Sequence, residues 1–325
     1  MAPKFTRRAT MLATSLGLGV PRPALAQEAW PNRSIRLIVP FPPGGSADIH
    51  ARPLAEELRR RLGQPVVVDN RGGVGGSIGA IATARSPADG YTLMLDPGSA
   101  IPTTPLVQTV PYTVDDFAPV AKLSRGPYAL VVHPDLPARD LNDLLRFARE
   151  RPGALNFGTA GPGTGTHLVG LSIWMRAGVT TTHVPFRGGG PLITALVSGH
   201  VHVATATLPS SIGMVREGRL RLLAYTAGGA PPGSPDAPTL RAAGVDLEAF
   251  QWHGLFAPRG LPAEILARLH TETNAALAAP DVARVLLSSG ATPSNTTVEA
   301  FTTMLRAEIE RWREVVRAAD IRADG

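Results

Sequence analysis

The stretch Ile35-Arg-Leu-Ile-Val-Pro-Phe-Pro-Pro-Gly-Gly-Ser-Ala-Asp48 does most to limit what this chain can fold into. Ile35 to Val39 is an apolar, β-branched run and reads as a buried strand. Pro40, Pro42 and Pro43 end the ladder, because none can donate a backbone hydrogen bond. Gly44 and Gly45 permit backbone angles that other residues avoid. Ser46 or Asp48 then caps a helix with apolar positions at Ile49, Leu54, Leu58 and Leu62. A strand that turns straight into a helix N-terminus aims free N–H groups at one point, and that point favours an anion.

The unit recurs. Pro65 to Asp69 reads as a strand, Asn70 to Ser77 as a second glycine turn, and Ile78 to Arg85 as a helix, followed by a strand over Tyr91–Leu95. Residues 101–127, rich in Pro and Thr, break the rhythm and read as a connector. Tyr128 to Pro134 opens a second series. It holds a helix over Asp140–Arg151, a strand at Leu155–Thr159 and a third glycine turn at Ala160–His167. A helix follows, then a strand at Thr181–Phe186, the turn Arg187-Gly-Gly-Gly190, a helix, and strands at Val201–Thr207 and Leu220–Thr226. Gln251 to Pro258 reads as a returning strand. The last helix starts from the capping-box spacing Thr296-x-x-Glu299 and buries Phe301, Leu305, Ile309, Trp312 and Val316 on one face. Strand–turn–helix at this spacing predicts an α/β fold with a parallel sheet covered by helices, the second series inserted in the first. Its expected parts are a signal peptide at 1–26, a first lobe from 27–125 plus 250–325, and a second lobe at 126–249. Sites in such folds lie at the carboxyl ends of strands and between domains.

Composition narrows the function. Lys4, Arg7 and Arg8, the uncharged stretch Ala9–Val20 and the small-x-small pattern Ala24-Leu-Ala26 predict a leader cleaved after Ala26, by the general or the twin-arginine route, and hence a periplasmic protein. The stretch is too short to span a bilayer. The leader carries four basic residues and no acid, so its loss lowers the formal charge from +6 to +2. The basic pI is therefore no argument for nucleic-acid binding. The chain has no cysteine, which excludes disulfides, thiol catalysis and thiolate metal sites. Gly75-Gly-Ser77-Ile-Gly79 fits the nucleophile-elbow pattern, but Asn70 to Val74 separate Ser77 from its strand, so a turn and helix start is the better reading. No stretch matches a dinucleotide or P-loop fingerprint, and no cofactor is expected. His200 and His202 fall two apart on the expected strand without a third ligand, so no metal site is expected. His167 could donate to a ligand or bond within its turn, and Arg187 could pair with a carboxylate or face solvent. With neither a carboxylate pair nor an activated nucleophile, the residues favour a binding protein over an enzyme.

The motifs also carry a resemblance. Trp30-Pro-x-Arg-x-Ile-Arg-Leu-Ile-Val-Pro-Phe-x-Pro-Gly-Gly-Ser-Ala-Asp48 resembles the opening of the Bug family, the TctC-like receptors of tripartite tricarboxylate transporters. The likeness continues through Leu62–Arg71, Asp89–Leu93, Asp116–Val120, Gly163–Leu168, His183–Gly188, Pro238–Leu240 and Gly254–Pro258. It implies a type II periplasmic binding-protein fold, two α/β lobes hinged about a cleft, with a small organic carboxylate as ligand. The implied partners are the membrane permease subunits, or alternatively a sensor kinase. The positions it marks for ligand contact are Phe41, Pro43, Gly44, Gly45, Ser46, Ala47, Ser99, Gly161, Gly163, Thr164, Thr166, His167, Phe186, Arg187 and Gly188. The chain departs from the family pattern at Leu171, where Glu is usual, and at Ala206-Thr207, where Asp-Asn is frequent. Ala206 is then expected to form a less acidic wall that suits an aromatic or aliphatic acid better than an amino acid. Pro53 is expected to kink or restart the first helix.

Overall fold

Strand formation follows the apolar runs, and the sheet they build is mixed. The computed structural model describes Met1 and residues 30–321. The expected leader, apart from Met1, lies outside the described residues. The elements run β1 (Ile35–Val39), α1 (Ser46–Leu62), β2 (Val66–Asn70), α2 (Ser77–Ala84), β3 (Thr92–Asp96), β4 (Phe117–Val132), α3 (Leu141–Glu150), β5 (Asn156–Thr159) and α4 (Gly165–Ala177). They continue with β6 (Thr182–Pro185), α5 (Gly189–Val197), β7 (Val203–Thr207), α6 (Leu208–Arg216), β8 (Arg221–Tyr225), β9 (Phe250–Pro258), α7 (Ala263–Leu277), α8 (Pro280–Ser288), β10 (Thr292–Pro293) and α9 (Val298–Ala318).

The strand order is β2-β1-β3-β9-β4-β7-β5-β6, with β8 and β10 also paired to β4. β1 is parallel to β2 and β3, and β5 is parallel to β6 and β7, as the strand–turn–helix units predict. β9 and β4 are antiparallel to their neighbours, so the expected all-parallel sheet is corrected to a mixed one. The connector expected over 101–127 is corrected too. Its second half is strand, because Phe117 to Pro127 pairs with Phe250 to Pro258 and absorbs Pro119 at a bulge.

β4 passes from one half of the sheet to the other. Up to Pro127 it pairs with β9; from Tyr128 it pairs with β7 on one edge, and from Ala129 with β8 on the other. Thr226 secures this point. Its hydroxyl accepts from Tyr128 N at 2.8 Å and donates to Ala249 O at 2.6 Å. One core cluster packs Ile38, Met94, Phe256 and Phe301 on the first half; another packs Leu130, Phe157, Ile173 and Trp174 on the second. α9 serves both: Phe301, Leu305 and Ile309 enter the first cluster, Trp312 and Val316 the second. Its predicted apolar face is the face it buries. Its cap is Thr297, whose side chain accepts from Ala300 N, and not the expected Thr296.

α1 runs unbroken through Pro53, so it does not restart there. Burial of Ala51, Leu54, Ala55, Leu58 and Leu62 holds it across the missing N–H. It ends where Gly63 takes a left-handed φ of 72° and donates to Arg59 O at 3.0 Å. Arg59, Arg60 and Arg61 in its last turn complement the helix dipole. Among the described residues no helix is long and apolar enough to cross a membrane.

Candidate ligand site

Four helices begin at one cavity. It is lined by Gly45, Ser46 and Ala47 at the start of α1, Thr164, Gly165 and Thr166 at the start of α4, Gly189 at the start of α5, and Thr207 before α6. None of the four N-cap residues, Gly45, Thr164, Gly188 and Thr207, makes a side-chain capping bond. No N-cap side chain therefore competes with the cavity for the first-turn N–H groups, although His167 N bonds back to Thr164 O and Pro191 and Pro209 carry no N–H. Phe41, Pro97, Ser99, Tyr128, Ala160 and Gln251 complete the wall. Among the described residues, no Asp, Glu, Lys, Arg or His lines it. The field inside comes from backbone dipoles, all with their positive ends inward. Burial holds the Tyr128 phenol well above its ordinary range, so it stays a neutral hydroxyl.

The turns that present these groups are themselves braced. Asp48, buried one turn into α1, accepts from Gly44 N at 3.1 Å, from both sides of the Arg52 guanidinium, and from Asn70 Nδ2 at 3.1 Å. Burial opposes its ionisation, yet the bonds from Arg52, Gly44 and Asn70 together hold its carboxyl below the usual range. Asp48 thus shapes the first glycine turn from behind and does not face the cavity. Asp96, at the end of β3, accepts from Ser99, Ala100 and Ile101 N at 3.2, 3.0 and 3.1 Å and so curls the loop that offers Ser99. Complete burial pushes it up to about 6 despite those three bonds. In the third turn Thr166 Oγ1 accepts from Ala160 N at 2.9 Å, and Thr164 Oγ1 donates to Gly161 O at 2.7 Å.

The two halves of the sheet meet across the cavity. Thr103 Oγ1 donates to Gly163 O at 2.5 Å, and Gln108 Nε2 to Pro162 O at 2.9 Å. A Cβ on Gly45 would lie 3.9 Å from Gly189 N, so the starts of α1 and α5 nearly touch. The cavity encloses about 380 Å³, part of it open to solvent, within the range of small-molecule sites.

Of the residues marked from sequence, Phe41, Gly45, Ser46, Ala47, Ser99, Thr164 and Thr166 line this cavity. Gly161, Phe186 and Arg187 line a neighbouring one that shares Phe41 and Ala160 with it and also takes in Gly73–Gly76 of the second turn. Arg187 is exposed there. Pro43 and Gly44 are exposed on the outer side of the first turn, and Gly188 packs against Pro42 and Phe41. Gly163 is held by Thr103 and lies against Val107. His167 accepts from Gly163 N at 3.3 Å and stacks on His183 at 4.3 Å; burial and His183 lower it to about 4. It stays within its turn. Ala206 points into the core of the second half, and its strand neighbour Thr207 reaches the cavity instead. His200 and His202 precede β7, against the expected strand. They bond separately, to Ser198 Oγ and from Asn156 N. Ser77 opens α2, buried, and among the described residues no hydrogen bond joins it to a histidine or carboxylate. Sequence reading missed Pro97, Tyr128, Ala160, Gly189, Thr207 and Gln251. Gly165 falls within the third glycine turn, and Gly189 was legible as a neighbour of a marked turn. Tyr128 and Gln251 sit on strands whose convergence only the sheet reveals.

A family model described as "Tripartite tricarboxylate transporter family receptor" matches residues 50–321. The chain belongs to this receptor family. The receptor is 28% identical to the periplasmic binding protein BugD, with a TM-score of 0.86 over 91% of this chain and 100% of that one. It is 36% identical to an R. palustris protein solved with adipate, TM-score 0.85, over 90% and 99%. It is 32% identical to MatC from Rhodopseudomonas palustris with bound malate, TM-score 0.84, over 88% and 100%. The fold is that of periplasmic binding proteins, and the protein is a solute-binding receptor, not an enzyme. The Ser77 hydrolase reading is set aside with it.

Proposed function

We propose that this receptor is exported, closes two lobes on a small carboxylate, and delivers it to the membrane subunits of a tripartite permease. The observation that carries the ligand class is the convergence of four uncapped helix N-termini on a cavity without a charged side chain. Each such terminus stabilises an anion by about 0.3–1 kcal/mol, and by up to about 2 when partly buried. The Ser46, Ser99 and Tyr128 hydroxyls add donors. A cation would meet no carboxylate there. Adipate and malate in the two R. palustris relatives support the same class.

The lobes follow the sheet. We place the first at 27–125 with 250–325 and the second at 126–249, with the hinge where β4 changes partners near Tyr128. The short bonds from Thr103 and Gln108 to the third glycine turn support a closed arrangement. Phe41, Pro97, Ala47 and Ala160 make part of the wall apolar, which favours an aliphatic or aromatic acid with no ammonium group. The leader ending at Ala26 and the periplasmic location complete the proposal.

The test is a thermal-shift and calorimetric screen with adipate, malate, citrate, benzoate, glutamate, ribose and putrescine. A ligand at 100 times its dissociation constant stabilises by about 2.7 kcal/mol. A shift by one or more ammonium-free acids, and by neither ribose nor putrescine, is expected. Stabilisation by ribose or putrescine alone defeats the carboxylate reading.

A further inference from the structure

Behind the cavity lies a buried chain of hydroxyls and imidazoles. Ser46 and His50 are one turn apart on α1, and Gln251 and His253 alternate onto one face of β9. Ser46 Oγ accepts from Gln251 Nε2 at 2.9 Å and lies 3.1 Å from His253 Nε2. His253 Nδ1 is 3.0 Å from Ser124 Oγ, which is 3.5 Å from His50 Nδ1. His50 Nε2 is 3.1 Å from Ser289 Oγ, and the two rings lie 4.3 Å apart. All six residues are buried, and of these groups Ser46 and Gln251 reach the cavity.

Counting protons along the chain sets its direction. The Ser289 hydroxyl donates to Leu286 O at 2.8 Å, so its oxygen must accept from His50 Nε2–H. Burial drives His50 down to about 3, so its ring is neutral and its Nδ1 is bare. Ser124 has one proton and two ring nitrogens in reach. The 3.0 Å contact to His253 is a sound hydrogen bond, whereas 3.5 Å to His50 is at the limit of one. Given to His253 Nδ1, that proton leaves the ring's own hydrogen on Nε2, where it donates to Ser46. The Ser46 oxygen then accepts twice, from Gln251 and from His253. Its own proton is left for the cavity it lines.

We propose that His253 is a positioning residue that makes Ser46 a dedicated hydrogen-bond donor to the ligand, so that this point of the site selects an acceptor-only group such as a carboxylate. The proposal rests on the carboxylate reading above. The opposite tautomer, with the proton on Nδ1, would have Ser46 donate to His253 and offer the ligand only a lone pair. A hydroxyl or ammonium would then be preferred. The direction of one proton chain thus decides which chemistry the start of α1 accepts.

Two measurements test it on the full mature chain. The first is nitrogen-15 spectroscopy of the histidine rings, assigned with His253→Gln, in saturating adipate and in concentrated acetate. The Nε2–H form of His253 is expected with acid bound; an Nδ1–H form there overturns the proposal. The second is adipate affinity across Ser46→Ala, His253→Met, His253→Gln and the double variants. Ser46→Ala is expected to weaken binding about 10- to 100-fold, as for a hydrogen bond to a charged group. His253→Met should lose a similar factor alone and add nothing to Ser46→Ala. His253→Gln, whose amide can donate from the place of Nε2, should recover most of the loss. Equal losses from His253→Met with and without Ser46 would show an effect through the fold and sink the idea. Should His253→Met not fold, the tautomer of the unsubstituted protein decides alone. Failure of both adipate and acetate to bind removes the carboxylate reading and this inference together. Binding that neither Ser46 nor His253 influences removes this inference only.

Discussion

At Gly165 a Cβ would stand 2.0 Å from the Tyr128 hydroxyl oxygen and 2.9 Å from its ring carbon. Real Cβ atoms do not approach so closely, so the first residue of α4 must be glycine for the phenol to lie across its backbone. Gly165→Ala is expected to push Tyr128 out of the wall, weaken ligand binding at least about 10-fold, and cost about 1–3 kcal/mol of stability, the range for an overpacked site. Tyr128→Phe in the same chain removes the oxygen and should restore part of the stability but not the affinity. Calorimetry with denaturant titration checks both, and wild-type affinity in Gly165→Ala would refute the placement. Single residues also show where sequence reading stops. Ser46 was legible because it sits in a strand–turn–helix unit whose geometry is local. Thr207 was not, because Ala206 and Thr207 differ only in strand parity, and β7 packs a core cluster on each face, with Val203 in one and Ala204 and Ala206 in the other.

Elements reveal the same division between local and long-range order. The turns, helices and parallel units were legible because glycine, proline and apolar period act within a few residues. β4 was not, since Pro119, Gly126 and Pro127 argue against a strand and only pairing with β9 offsets them. The cleft depends on that strand, so Tyr128 and Gln251 stayed hidden with it. α9 was legible as a face but not as a bridge: its first turns pack on one half of the sheet and Trp312 and Val316 on the other. Trp312→Ala should cost about 3–5 kcal/mol through the void it leaves. Amide exchange should then speed up in the last two turns of α9 while protection near Phe301 and Leu305 persists. Uniform loss along the helix would show that α9 is held as one unit with one half. At the start of α1, Asp48→Ala strands Gly44 N–H, Asn70 and Arg52 together. A loss of about 1–3 kcal/mol and weaker ligand binding are expected. Unchanged affinity would mean that the first glycine turn keeps its shape without its brace.

For the whole molecule, the buried histidines set the response to acid. Burial lowers His50 to about 3, and burial with the His50 charge places His253 well below its ordinary value. The unfolded chain, titrating near 6.5, therefore binds more protons at these positions than the fold once the pH drops below that value. Stability held above pH 6.5 is lost as the pH falls, by about 2 kcal/mol for His50 between pH 7 and pH 5, and His253 and His167, both lowered by burial, add to the loss in the same sense. Asp96 acts in the opposite sense. Its carboxyl is pushed up to about 6, so the fold takes up a proton that the unfolded chain does not, and this returns about 1 kcal/mol over the same interval. Asp48, held low, begins to cost stability only below that interval, as the pH falls through the carboxylate range. The histidine losses outweigh the Asp96 gain, so the balance predicts a net loss of stability from pH 7 to pH 5, read by denaturant unfolding at each pH. In a His50→Gln, His253→Gln chain the loss should shrink but keep its sign, because His167, lowered to about 4, still titrates against Asp96. A wild-type stability that is flat or rises on acidification would mean that these imidazoles take up protons without unfolding. The proton chain from Ser289 to Ser46 would then lack the neutral rings on which its direction depends.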